Sequence, residues 1–331
     1  TYKNDPVNPN SIGVGPVYNI EITNEDRIFV SPDTDPIFEF NKNNNTFSAI
    51  NYKLNYYGEN VLKCIQSDRN GLLYINSENA GVHIYDPKTN TSKLIDINEG
   101  ALLANTVKSK VLVVNDDEIW MGTDGAGVNI YNPKTETFSY LQSDTKISNS
   151  LNGNAVYKIL QDKDDNIWIG HFGTGISIWK KNKEKFISYR HNPFNTTSIN
   201  KEIVSAIFED SQGRIWIGQD GGGLSLFHEE TQSFEHFRHV NGDKTSLVSD
   251  VILTINEDPS GNLLLGTYAA GMMVFNPNTK KVIGSYGLSD GLSSNNIWLI
   301  SKDHHQRYWL LTLRGGVNLY DPLVGTFKTY A

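Results

Sequence analysis

Asp210-Ser-Gln-Gly213-Arg-Ile-Trp216-Ile-Gly218, followed by Asp220-Gly-Gly-Gly223-Leu-Ser-Leu-Phe227, decides the fold, because the same frame returns along the whole chain. A second clear copy is Asp162-Lys-Asp-Asp-Asn-Ile-Trp168-Ile-Gly170; a third, Asp258-Pro-Ser-Gly261-Asn-Leu-Leu264-Leu-Gly266, keeps the frame but has Leu in place of Trp. The Trp position falls at Phe29, Tyr74, Trp120, Trp168, Trp216, Leu264 and Trp309, giving spacings of 45, 46, 48, 48, 48 and 45 residues. A period of roughly 40 to 50 residues built only of strand-like segments is the mark of a propeller blade.

Within one repeat, Asn154-Ala-Val-Tyr-Lys-Ile-Leu160 alternates as strand a, and a tight Asp-led turn leads to strand b, Asn166–Gly170. The segment His171-Phe-Gly-Thr-Gly175 must reverse sharply, and Ile176–Trp179 and Lys185–Tyr189 follow as strands c and d. Asx-Pro pairs such as Asp86-Pro, Asn132-Pro and Asn276-Pro preset a type I turn between c and d. A lone four-stranded sheet cannot bury both faces, so the blades must stack radially, with the strand-b Trp filling the wedge between neighbours. The reading is an all-β, seven-bladed β-propeller with four antiparallel strands per blade. The blades run approximately over 13–52, 58–97, 103–142, 152–190, 200–238, 248–287 and 293–331, as one domain.

Tyr2–Ile12 matches Tyr189–Ile199 in register, and the chain stops at the equivalent of a completed strand d. Each blade therefore owns its outer strand, closure is expected by packing alone, and the sequence reads as an excerpt from a longer protein. The 331 residues carry 38% apolar and 20% charged residues and a net charge of -8, a soluble profile that argues against a nucleic-acid surface. One cysteine excludes an internal disulfide. No apolar run approaches the ~18 residues of a membrane span, so no membrane contact is expected of this segment.

Enzymatic motifs fail on context. Gly287-Leu-Ser289-Asp290-Gly291 has the letters of a nucleophile elbow but lies in an interblade linker, and Asp220-Gly-Gly-Gly223 precedes no helix. What remains is positional: the d-to-a linkers and b-to-c turns of several blades converge on one axial mouth. The start of strand a carries Asn60, Asn154, Glu202, Asp250 and Asn295 in equivalent positions. These are open to three readings: oxygen ligands for an axial calcium, hydrogen-bonding groups for sugar hydroxyls, or solvated linker residues. The b-to-c turns add Asp124, His171, Phe172, Asp220, Tyr268 and Arg314, which differ from blade to blade as an asymmetric ligand site requires.

The motif Asp-x-x-Gly-x-Ile-Trp-Ile-Gly-x-x-x-Gly-Gly-Leu-x-x-(Tyr/Phe), with linkers such as Asn192-Pro-Phe-Asn-Thr-Thr-Ser-Ile199, resembles the two-component regulator propeller repeats. That resemblance implies the periplasmic sensor region of a bacterial hybrid two-component system, with an adjacent propeller, a β-sandwich, a membrane helix and a histidine kinase elsewhere. It further implies a non-catalytic sensor of oligosaccharides from polysaccharide breakdown, homodimeric in full length and without a resident cofactor. Two readings compete with it. Propellers of similar strand pattern include metal-dependent lactonases, which would need Glu202, Asn154 and Asp250 around a metal, and lyases with axial histidines, for which His171 is the mouth's candidate. A protein-interaction ring is the other.

Overall fold

The computed structural model describes residues 7–8, 10–12, 17–32, 36–50, 63–77, 81–95, 111–115, 117–144, 146, 150–181, 185–313, 315–322 and 324–330. Seven four-stranded antiparallel sheets follow one another in chain order, each a simple meander. They comprise β1 (Val17–Ile22) to β4 (Thr46–Ala49), β5 (Lys63–Ser67) to β8 (Thr91–Ile95), and β9 (Leu112–Asn115) to β12 (Thr137–Leu141). The remaining four are β13 (Val156–Gln161) to β16 (Lys185–Tyr189), β17 (Val204–Glu209) to β20 (Ser233–Phe237), β21 (Ile252–Glu257) to β24 (Lys281–Tyr286), and β25 (Ile297–Lys302) to β28 (Thr326–Tyr330). First strands of neighbouring sheets touch, β13 on β17, β17 on β21 and β21 on β25, so strand a lines the axis and strand d lies outside. The chain is a seven-bladed β-propeller.

The buried apolar residues form seven clusters, one per interface between blades, rather than a single core. In each cluster the strand-b marker faces the next blade. Phe29 packs with Ile65 and Ile75, Trp168 with Val204 and Ile217, Trp216 with Ile252 and Leu265, and Leu264 with Ile297 and Leu310. Edge-to-face pairs reinforce two of these wedges, Trp168 on Phe227 at 5.0 Å and Trp216 on Phe275 at 5.8 Å. Trp309 of the last blade packs with Val17, Ile20 and Val30 of the first, which closes the ring without any exchanged strand. A hydrogen bond of 3.0 Å between His304 Nε2 and the Thr23 carbonyl crosses the same seam.

The Asp of the repeat is a fastener. Asp210 Oδ1 accepts the backbone N–H groups of Gln212 and Arg214, while Oδ2 accepts the Trp216 indole N–H at 2.8 Å and the Arg214 Nε–H at 2.6 Å. Asp162 repeats the pattern with Asp164, Asn166 and Trp168, and Asp303 with His305, Arg307 and Trp309. A single buried carboxylate thus satisfies both the a-to-b turn and the polar tip of the wedge residue. Blade 3 has no Asp at this position, and Glu118 takes the Trp120 indole instead at 2.8 Å.

The Gly two residues beyond the Trp is required by the neighbour. A Cβ at Gly170 would meet Val204 at 2.7 Å, and one at Gly218 would meet Ile252 at 2.9 Å. The first residue of each of these inner strands therefore sits directly over the glycine of the preceding blade. The segment before blade 1 is held like the later linkers: Phe47 N donates to Asn10 O at 2.9 Å, as Phe234 N does to Thr197 O and Val282 N to Thr245 O at 2.8 Å.

These contacts make three substitutions informative. Asp210→Ala strands two backbone donors and an indole N–H in a buried site, and urea denaturation should show a loss of about 3–5 kcal/mol. Asp258→Ala, whose blade has Leu264 and no indole to satisfy, should lose only about 1–2 kcal/mol. Gln306 holds φ at 63° where Gly213 and Gly261 hold 77° and 79° in other blades. Gln306→Gly should therefore raise stability by up to about 1 kcal/mol in the same assay.

Candidate functional site: the axial mouth

Register places the start of strand a, the end of strand b and the end of strand d at one end of the ring, since Val156 pairs with His171 and Ile176 with Tyr189. The turns and linkers proposed from sequence therefore share one face. Asn60 and Arg314 lie outside the described residues.

Three of the oxygen-bearing residues at the start of strand a are engaged by backbone N–H groups. Asn154 Oδ1 accepts Ser143 N at 2.6 Å, Asp250 Oδ1 accepts His239 N at 2.7 Å, and Asn295 Oδ1 accepts Leu288 N at 3.1 Å. Each side chain fastens its own incoming linker, whose backbone N–H groups need acceptors once the chain leaves the sheet. Asp250 is further held by Arg238, with Nη2 2.8 Å from Oδ2. The backbone carbonyls at these positions are also engaged, taking N–H bonds from the turn glycines of the preceding blade: Gly127 to Asn154, Gly175 to Glu202, Gly223 to Asp250 and Gly271 to Asn295, all at 2.8–3.0 Å. Among the described residues no group of three His, Cys, Asp or Glu side chains is placed to hold a metal ion. Asn154, Asp250 and Asn295 are thus each engaged by a linker N–H, while the Glu202 carboxylate is exposed at the rim.

His171 is a correction, because it is fully buried beneath the turn and presents no surface to the mouth. In three other blades its position is Thr123, Thr267 or Thr312, whose hydroxyls close the b-to-c turn on the carbonyls of Gly127, Gly271 and Gly316 at 2.7–2.9 Å. His171 instead reaches strand c, with Nε2 2.9 Å from Ser177 Oγ, which also accepts the Asn152 N–H. Gln219 does likewise in the next blade, accepting the Ser225 hydroxyl at 3.0 Å. Burial drives the His171 pKa down to about 4, the nearby Arg190 guanidinium adds to the shift, and a Gly153 backbone contact opposes it.

The surface of the mouth is instead made by the turn residues and by two aromatics not singled out from sequence. Asp124 and Asp220 are exposed, and Phe172 and Tyr268 are half exposed in equivalent positions of blades 4 and 6. Trp298, the second residue of β25, is 49% exposed, whereas Trp120, Trp168, Trp216 and Trp309 are all buried. Tyr157, the second residue of β13, packs on Phe172 with ring centroids 5.1 Å apart. Both follow a buried β-branched residue at the start of an inner strand, which was the available signal. Simple alternation assigned Tyr157 to the ladder. The Gly287–Gly291 segment is a 3-10 turn over Leu288–Asp290 in a linker, with no strand-to-helix elbow.

Residues 150–173 and 198–221 match the two-component regulator propeller repeat. No curated protein sequence matches the chain. Among solved structures, the extracellular domain of a putative hybrid two-component system from B. thetaiotaomicron is 19% identical, over 95% of this chain and 48% of that one, with a TM-score of 0.42. PorZ, an essential surface component of the type-IX secretion system of Porphyromonas gingivalis, is 13% identical over 94% of this chain and 47% of its own, with a TM-score of 0.71. A catalytically inactive virginiamycin B lyase from Staphylococcus aureus is 12% identical, over 92% of this chain and 94% of that one, with a TM-score of 0.68. This chain spans about half the length of the first two. The last two likenesses are likenesses of fold.

A buried neutral imidazole makes stability depend on pH in one direction. The folded pKa lies below the unfolded value of 6.5, so the unfolded chain binds the extra proton and stability falls as pH drops from about 6.5 to about 4. The loss attributable to His171 is at most roughly 3 kcal/mol. Denaturant titrations at pH 7 and pH 4.5 should show a smaller loss in His171→Gln, which copies the solution used at Gln219.

Proposed function

We propose that this propeller is a non-catalytic ligand-recognition module of an extracytoplasmic two-component sensor, and that its axial face binds oligosaccharides released from polysaccharides. The repeats at 150–173 and 198–221 support the signalling assignment. The observation that carries the ligand class is the set of exposed aromatic rings on that face, Phe172, Tyr268 and Trp298. The C–H faces of pyranose rings pack on aromatic planes, and exposed carboxylates such as Glu202 and Asp220 accept hydrogen bonds from sugar hydroxyls. An adjacent propeller and β-sandwich, a periplasmic location and dimerisation in the full-length protein belong to the same reading. A lyase that depends on an exposed mouth histidine finds no support in His171, whose ring is buried against Ser177.

Thermal unfolding of the 331-residue protein with mixed neutral and acidic glycan digests tests the proposal. A cognate oligosaccharide at a hundred times its Kd should raise the midpoint by roughly 5 °C. A midpoint unmoved by every digest would remove sugar recognition from this propeller.

A further inference from the structure

The inner strands share an irregularity. The pairing of strand a with strand b slips by one residue between Val17 and Asn19, Val156 and Lys158, Val204 and Ala206, Ile252 and Thr254, and Ile297 and Leu299. Five of the seven blades thus carry a β-bulge at the same place, the second residue of the axial strand. The residue before each bulge is Val or Ile and is buried, and in three of these blades it lies over a glycine of the preceding blade, Gly170, Gly218 or Gly266. Packing pins that residue, whereas the bulged one is released from the ladder and from its in-out alternation. Its identity then varies freely: Tyr18, Tyr157, Ser205, Leu253 and Trp298. Tyr157, Ser205 and Leu253 are half-buried and Trp298 is the most open of the four described side chains.

Position on the ring gives these residues a geometry. Blades 4 and 7 are three steps apart in one direction and four in the other, which sets them nearly opposite each other across the axis. Blade 7 presents Trp298 at the inner lip, and blade 4 presents Tyr157 packed against Phe172. Of the two blades between them, blade 5 has Ser205, whose hydroxyl is tied to the carbonyls of Gly218 and Ile252, and blade 6 has the half-buried Leu253. Among the described strand-a starts and b-to-c turns of blades 3 to 5, the exposed charges are Asp124, Glu202 and Asp220 against Lys201; the strand-d ends add Arg190 and Arg238, the latter paired with Asp250.

Resting on the sugar-recognition reading above, we infer that the bulged position of strand a is the specificity-determining position of this propeller. Trp298 and the Tyr157–Phe172 pair form the two sides of an aromatic clamp that holds the terminal ring of a neutral saccharide end-on in the mouth. Two opposed planes suit one ring entering along the axis better than a chain lying flat across the rim. The carboxylate excess beside the clamp disfavours an anionic ring such as a uronate.

Defined neutral tetrasaccharides of glucose, mannose and xylose, and an oligogalacturonide, are titrated by calorimetry and by tryptophan fluorescence. The expected result is binding of a neutral tetrasaccharide with a blue shift in emission that disappears in Trp298→Phe, the exposed reporter having been removed. Trp298→Ala, and separately Tyr157→Ala with Phe172→Ala, should each weaken Kd about tenfold or more. Trp298→Phe should stay within about threefold, and Ile283→Ala, exposed on an outer strand, should change nothing. Neutral binding that survives Trp298→Ala or the Tyr157/Phe172 double variant overturns the clamp and leaves the sugar reading standing. Equal binding of the oligogalacturonide overturns the neutral-ring assignment, and no binding of any saccharide overturns the clamp together with the reading beneath it.

Discussion

Everything in this molecule depends on the packing of each blade against the next. A four-stranded meander has two apolar faces and no core of its own, and the buried residues accordingly collect in seven clusters that each straddle two blades. The repeat spends its recurring letters on that contact. The Trp supplies bulk to the wedge, the Asp ties down the indole and the turn, and the Gly makes room for the first residue of the neighbouring inner strand. Since the last blade meets the first through Trp309 and Val17, the same interaction also closes the ring.

Tight packing at the interfaces confines variation to places where the contact makes no demand. Two such places face the mouth: the exposed first residue of the b-to-c turn, which is Asp124, Phe172, Asp220 or Tyr268, and the bulged residue of strand a. One turn position deeper, burial returns, and the choice narrows to groups that close a hydrogen bond: Thr123, Thr267 and Thr312 to the turn glycine, His171 and Gln219 to a serine of strand c. A histidine there is a structural alternative to threonine and is held neutral by its surroundings. The polar mouth is thus built on a hydrogen-bonded layer that is itself part of the scaffold.

The fold was legible because periodicity survives substitution. Phe29, Tyr74 and Leu264 stand where other blades have Trp, yet spacing alone located them, and all three occupy the same interface position as the indoles. The site was only partly legible. Phe172, Tyr268, Asp220 and Glu202 are exposed at the mouth as their positions implied, because a turn residue beyond the ladder has no other place to go. Asn154, Asp250 and Asn295 were legible as a set, but their common job is to receive linker N–H groups, a demand created by backbone geometry that side-chain spacing does not display.

Sequence by itself determined the number of blades, the order of strands, the wedge residues and the turns, since each follows from a local pattern repeated every 45 to 48 residues. Only the tertiary structure decided which way the variable residues face. His171 and Phe172 are adjacent in the chain, yet one is sealed under the turn and the other is half open to solvent. Tyr157 and Trp298 leave the strand alternation because Val156 and Ile297, one residue earlier, are pinned in the interfaces between blades. Burial and bulging are set by contacts that form only once the blades fold and pack together, which strand alternation does not display.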